Sequence, residues 1–256
     1  MPVKETREKV ACNVEYKERN YRNKIKIKDL ATFHVLVKET DLWVSANGSY
    51  KKETEGIVHN LRYKLEHYIQ QNPEFLTTLE PYPDDPYAPE IIREMILYSK
   101  KAGVGPMASV AGAMAQHAAL ELKKLSDQVI IENGGDIYMD AARDVTVSIF
   151  AGTSPLSDRV GIVIPEKMMP LGICSSSGRI GHSLSMGNSD VVCIISRSAV
   201  LSDAAATALG NRIKTKKDLR RIAEDAGAID GVLGGVAILD DEMTAWGDVE
   251  LTAIDG

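Results

Sequence analysis

A chain of 256 residues, 44% hydrophobic and 26% charged, has apolar material for one large core or two small ones and a surface suited to water. Its net charge of −6 excludes a general nucleic-acid binder, which needs a basic face toward phosphate. No apolar run reaches the roughly 20 residues of a membrane span, and the opening MPVKETREKV lacks the apolar stretch of a secretory signal. The three widely spaced cysteines, Cys12, Cys174 and Cys193, read as reduced thiols of a cytoplasmic protein and offer no CxxC metal pair.

In chain order, residues 11–16 suggest a strand, and Lys24-Ile25-Lys26-Ile27-Lys28 alternates basic and apolar side chains. Residues 32–37 and 42–46 predict a hairpin joined by the polar turn Lys38-Glu39-Thr40-Asp41. His34 has no second His or Cys at ligand spacing and reads as a solvent-facing or packed strand residue. Ile57, Leu61, Leu65 and Tyr68 form one apolar stripe, which predicts a helix over 51–71 stopped by Pro73, with His59 and His67 half-exposed beside the stripe. LEPYPDDPYAP, residues 79–89, predicts an ordered surface loop or lid in which Asp84-Asp85 is a solvated acidic turn. A single domain over 1–256 is expected, with any internal subdivision near 80–90.

A second helix is expected over 89–101. Gly103-Val104-Gly105-Pro106 then turns the chain into a helix whose early positions are small: Ala108, Ser109, Ala111, Gly112, Ala113 and Ala115. A glycine inside a helix costs about 1 kcal/mol against alanine, so close packing against Gly112 is expected. Residues 129–131 read as a buried strand ending in Asn133-Gly134-Gly135-Asp136. Strands follow at 137–139, 145–150, 161–164, 171–174 and 191–196, helices at 199–214 and 218–226, and closing strands at 232–239 and 249–253. Hairpins with helices inserted in pairs predict an α+β fold of mainly antiparallel sheets flanked by helices.

Three segments carry chemistry. Paired glycines at 134–135 allow positive φ and bare backbone N–H groups beside Asp136, which otherwise serves to cap the turn. Residues 175–183 place Ser175, Ser176, Ser177, Arg179 and His182 around two glycines. Hydroxyls, loop amides and a guanidinium suit a phosphate or ribityl group; a polar loop between strands has the same composition. Asp203, Thr207 and Asn211 share one helix face, and a carboxylate and hydroxyl one turn apart offer two hard oxygens to Mg²⁺. Equally, Asp203 suits a helix N-terminus and Thr207 a bond back to a carbonyl.

TDLWVSA, GVGPMASVAGAMA, ENGGDIYM, SSSGRIGHSLSMGNSD and SDAAATALGN together resemble an uncharacterised, UPF-type family of bacterial and archaeal cytoplasmic proteins, over nearly the whole chain. That family is distantly similar, mainly across residues 105–215, to the ApbE-type FAD:protein FMN transferases. The resemblance implies an ApbE-like, T-fold-like scaffold. Asn133-Gly134-Gly135-Asp136 matches the transferases' flavin nucleotide turn, and Ser177-Gly178 with His182 matches their Ser-Gly before a histidine loop. Asp203 through Ala208 matches the Asp-Ala-x-x-Thr-Ala helix that supplies Mg²⁺ oxygens. Their His-x-x-Asp-Pro-x-x-Gly loop has no counterpart in residues 181–190.

Residues and resemblance together imply Mg²⁺-assisted phosphoryl, FMN-transfer or pyrophosphate chemistry on a small phosphorylated ligand such as FAD or FMN. The catalytic candidates are Asp136 and His182. The cofactor-binding candidates are Asn133, Gly134, Gly135, Asp136, Ser176, Ser177, Gly178 and Arg179, and the metal candidates are Asp203 and Thr207. The alternatives are a non-catalytic flavin or nucleotide binder, a structural homo-oligomer, and a serine hydrolase using Ser177 and His182 without the Gly-x-Ser-x-Gly elbow. Neither nucleic acid nor membrane is an expected partner; small-residue helices suit a homo-oligomer interface. The functional expectation requires the glycine turn, the serine loop and the 203–207 helix face to converge on one cavity.

Overall fold

The structure, a computed structural model, describes residues 29–179 and 186–254. The expected strand at 11–16, the basic run at 24–28 and His182 lie outside the described residues.

The first hairpin pairs β1 (Ala31–Val37) with β2 (Thr40–Ala46). Its turn is shorter than expected: Val37 pairs with Thr40, leaving Lys38 (φ 53°) and Glu39 as the connection. His34 packs beside Trp43 and bonds Asp41 at 2.5 Å, a strand residue satisfied within its own hairpin.

Three helices follow: α1 (Lys51–Gln71), the short α2 (Glu74–Thr77) and α3 (Glu90–Ala102). Phe75 of α2 is fully buried, edge-on to Tyr68 at 5.1 Å and to Tyr82 at 5.3 Å. This aromatic stack, with Asp85 accepting from the Tyr68 hydroxyl and Asp84 from Lys100, holds the proline-rich segment against the helices. Left-handed Gly103 closes α3, and a 3-10 turn, Pro106–Ser109, leads into α4 (Val110–Leu122).

Then come β3 (Val129–Asn133), β4 (Asp136–Asp140), β5 (Val145–Ser148), β6 (Val160–Ile164), β7 (Leu171–Ser176) and β8 (Val191–Ser196). The chain continues with α5 (Ala199–Arg212), α6 (Lys216–Gly227), β9 (Val232–Leu239), β10 (Glu242–Gly247) and β11 (Glu250–Ala253). An eight-stranded sheet runs β1-β2-β3-β4-β7-β8-β9-β10 with every neighbouring pair antiparallel. A three-stranded sheet runs β11-β6-β5. The fold is α+β, with antiparallel sheets flanked by helices.

Period-two alternation divides the large sheet between two cores. Val192 and Ile194 pack with Leu201, Leu209 and Ile222 of the helical layer. Val191, Cys193 and Ile195 pack with Val145, Ile162 and Ile164 of the small sheet. Covered on both faces, β8 reads as an unbroken apolar run. Two expectations change at the C-terminus. Residues 250–253 join the small sheet rather than closing the large one, and β10, absent from the sequence reading, is the true edge strand. Its positions alternate between half-buried and exposed, so EMTAWG carries too little apolar signal to mark it.

Candidate functional site

The site grows from the β3–β4 hairpin. Asn133 pairs with Asp136, so Gly134 (φ 70°) and Gly135 (φ 110°) form a two-residue turn that demands positive φ at both positions, as glycines allow. The Gly135 amide donates to Glu132 Oε1 at 2.9 Å. Asn133 and Asp136, directly opposite one another, point to the same face as Ile131 and Tyr138, which belong to the helix-side core. Across the next ladder Asp136 pairs with Cys174 of β7, whose thiol donates to the Ala199 carbonyl at 3.3 Å.

Over this face α4 and α5 approach each other closely. A Cβ on Gly112 would lie 2.3 Å from the Ala199 carbonyl oxygen and 2.9 Å from Asp203 Cβ, which is the close packing expected there. A Cβ on Gly172 would lie 2.2 Å from Ala199 Cα, so α5 also presses on β7. Gln116 ties the helices together: its Oε1 accepts from the Ala199 amide at 2.7 Å and the Ser198 hydroxyl at 3.1 Å.

This packing brings Asp203 to the start of α4. Its Oδ2 accepts from the Gly112 amide at 2.9 Å. Ser109, at the helix's own N-cap position, spends its hydroxyl on the Pro106 carbonyl instead. Asp203 is thus a cap supplied by another helix, favoured by the positive end of the α4 dipole.

Asp136 and Asp203 are both buried and repel each other electrostatically. Burial holds Asp136 well above the ordinary carboxylate range, the Asp203 charge raises it further, and the Cys174 thiol and Ser175 amide oppose the rise. Burial pushes Asp203 up to about 7 against the pull of the Gly112 and Ala111 amides. Among the described residues Glu132 is the other charge acting on Asp136, and no cation acts on either group. Asp136 Oδ1 is buried with no hydrogen-bond partner.

The sign of the resulting pH dependence follows. Folded values above the ordinary 3.8 mean that the folded chain holds protons the unfolded chain releases. The stability contributed is complete below about pH 4 and is lost as pH rises through about 7. In chelator, the wild-type melting temperature is expected to fall more steeply over that interval than that of Asp136→Asn. Equal slopes would contradict the electrostatic account.

The serine segment reaches α5 farther along. Ser176, on the same β7 face as Cys174 and Gly172, approaches Gly210: a Cβ there would be 3.7 Å from the hydroxyls of Ser176 and Ser189. Ser189 Oγ is buried without a partner. Ser177 Oγ accepts from the Arg179 amide at 3.1 Å, and Gly178 donates to the Ser189 carbonyl at 2.9 Å, closing the base of the loop. Arg179 turns to other carboxylates, donating to Asp190 at 3.0 Å and Asp240 at 2.8 Å. It lines, with Ser154, a cavity of about 220 Å³ bounded by those two aspartates. Thr207 is half-buried one turn after Asp203.

The structure therefore brings Asn133, Asp136 and Asp203 together, sets Ser176 along the same helix, and orients Arg179 into an ion-pair cluster. Asp190 is almost fully buried, so Arg179→Ala strands a carboxylate that, among the described residues, keeps the Asp240 amide. An expected loss of about 1–3 kcal/mol, toward the low end because Arg179 is part-exposed, is measurable by urea denaturation. Sequence reading missed Gln116, Cys174, Ser189 and Asp190. Only Asp190, a carboxylate opening an apolar strand, carried any local signal.

Among the described residues no group of three or more His, Cys, Asp and Glu is placed to hold a metal, and no helix is long and apolar enough to cross a membrane. The carboxylates of Asp136 and Asp203 offer hard oxygens of the kind Mg²⁺ takes, and the unpartnered Asp136 Oδ1 is a vacant acceptor. The residues fit a small dication.

Comparison with known proteins places this geometry in context. Residues 22–241 match the family described as AbpE bacteria. A UPF0280 protein of Methanocella arvoryzae is 39% identical over 212 residues, covering 82% of this chain and 86% of the relative. One from Methanospirillum hungatei is 41% identical over 220 residues, covering 84% and 87%. The apo flavinyl transferase ApbE of Pseudomonas stutzeri superposes with a TM-score of 0.55 across 84% of this chain and 94% of its own, at 12% identity, a likeness of fold.

Proposed function

The chain belongs to the AbpE bacteria family, and from that premise we propose that it is a Mg²⁺-dependent enzyme acting on a phosphorylated cofactor, a flavin nucleotide such as FAD first among them. The observation that carries this reading is the buried Asp136–Asp203 pair, with one unpartnered oxygen, beneath a glycine turn on a fold shared with a flavinyl transferase.

Asp203 and Thr207 hold the cation. Bound there, Mg²⁺ supplies neutralisation of phosphate charge as a phosphoryl or pyrophosphate bond breaks. The α4 amides fix the Asp203 carboxylate in place, so it costs no reorientation during reaction. Asn133 is held by donating to the Ala111 carbonyl at 3.1 Å and leaves its side-chain oxygen for the ligand. The turn Gly134-Gly135 and the run Ser176-Ser177-Gly178 bind phosphate or ribityl oxygens. Arg179 is engaged by Asp190 and Asp240, which together outweigh its charge, so it is not among the phosphate donors. Asp136 stands beside Asp203 at the reacting end.

The test is to incubate the protein with FAD and Mg²⁺ and to separate the products chromatographically. Hydrolysis gives FMN and AMP in equal amounts; with a protein acceptor, FMN becomes covalently attached and AMP is released. Both outcomes should stop in chelator. Flavin binding without products would make the protein a flavin or nucleotide carrier, and no flavin binding would overturn the flavin reading altogether.

A further inference from the structure

Resting on that reading of the site, we propose that Asp136 and Asp203 jointly ligate one divalent cation, so that Asp136 is the second protein carboxylate of the cation site. Asp136 is 7% exposed, and its Oδ1 is buried without a donor. Asp203 is 8% exposed, with Oδ2 already engaged by the Gly112 amide. Two buried carboxylates side by side need a counter-charge. Among the described residues no lysine, arginine or histidine acts on either one.

Their positions are fixed independently. Asp136 is set by ladders on both sides, to Asn133 and to Cys174. Asp203 is set by α5, clamped against Gly112 of α4 and Gly172 of β7. The pair is therefore organised without any cation present. Cys174, the soft atom nearby, keeps its proton, because burial beside the two carboxylates pushes that thiol well up. The donor set stays oxygen, favouring Mg²⁺ or Mn²⁺ over zinc. Two carboxylates also leave positions open for water, Thr207 or phosphate oxygens, as Mg²⁺ sites on phosphorylated ligands require.

Calorimetric titration of the whole chain with Mn²⁺ alone tests this. Wild type should bind one ion, and Asp136→Asn and Asp203→Asn should each weaken binding by at least about tenfold. Asp136→Asn should also lose most of the Mn²⁺-induced melting shift. Wild-type Mn²⁺ affinity in Asp136→Asn, with weak binding in Asp203→Asn, would overturn the shared site while leaving the Asp203–Thr207 reading intact. No effect of either substitution would overturn both. Should Asp136→Asn not fold, paramagnetic broadening by Mn²⁺ in the unmodified protein decides. Loss of the Asp136 and Gly112 amide signals supports the shared site, and broadening confined to residues elsewhere overturns it.

Discussion

Gly112→Ala should destabilise the protein by about 2–3 kcal/mol, in the range for overpacking a tight interior. The sign is informative because helix propensity predicts the opposite: alanine is better than glycine inside a helix by about 1 kcal/mol. The new Cβ would lie 2.3 Å from the Ala199 carbonyl oxygen and 2.9 Å from its carbon, both backbone atoms of α5. Backbone cannot rotate away as a side chain can, so α4 and α5 must separate. The first thing to stretch is the Gly112 amide bond to Asp203. Gly56 is the control. It sits in α1 with no atom within 4 Å of an added Cβ, so Gly56→Ala should be neutral or stabilising by up to about 1 kcal/mol. Urea midpoints of the two variants should move in opposite directions. A stabilising Gly112→Ala would mean that the helices are not in contact where the site is built.

Asp203→Asn should lower Mg²⁺-dependent turnover of FAD by about two to three orders of magnitude, the scale on which one preorganised electrostatic group contributes. Asparagine keeps the volume and one acceptor oxygen, so the α4 amides retain a cap and the fold survives. It loses the charge that a dication needs. Asp203→Ala removes both roles and should also cost about 1 kcal/mol from the missing cap. Comparing the two separates capping from ligation: activity lost in both with stability lost only in alanine is the expected pattern. Full activity in Asp203→Asn would return this residue to a purely structural role.

The sequence was most readable where one periodic signal dominates. The stripe through Leu61, Leu65 and Tyr68 set α1, and the unbroken apolar run from Val191 set β8. The pair Gly134-Gly135 marked a turn because both positions need positive φ. The spacing of Asp203 and Thr207 put two oxygens on one face of α5. The rest depends on pairing that no local pattern encodes. Asp136 meets Cys174 only through the register of β4 on β7, and Asp203 meets Gly112 only because two helices cross at a glycine. Arg179 reads as a ligand contact from its neighbours in sequence, whereas its carboxylate partners, Asp190 and Asp240, come from separate segments of the fold. β10 was missed because an edge strand with one wet face needs few apolar residues.

The most direct test is a crystal of the full chain soaked with FAD and Mn²⁺, with anomalous scattering recorded at the manganese edge. The peak is expected between the carboxylates of Asp136 and Asp203, with ligand phosphate oxygens completing its shell. A peak only at surface acids such as Asp84, or beside Asp240 and Asp241, with the buried pair left without metal, would contradict a cation-assisted site at this point in the fold.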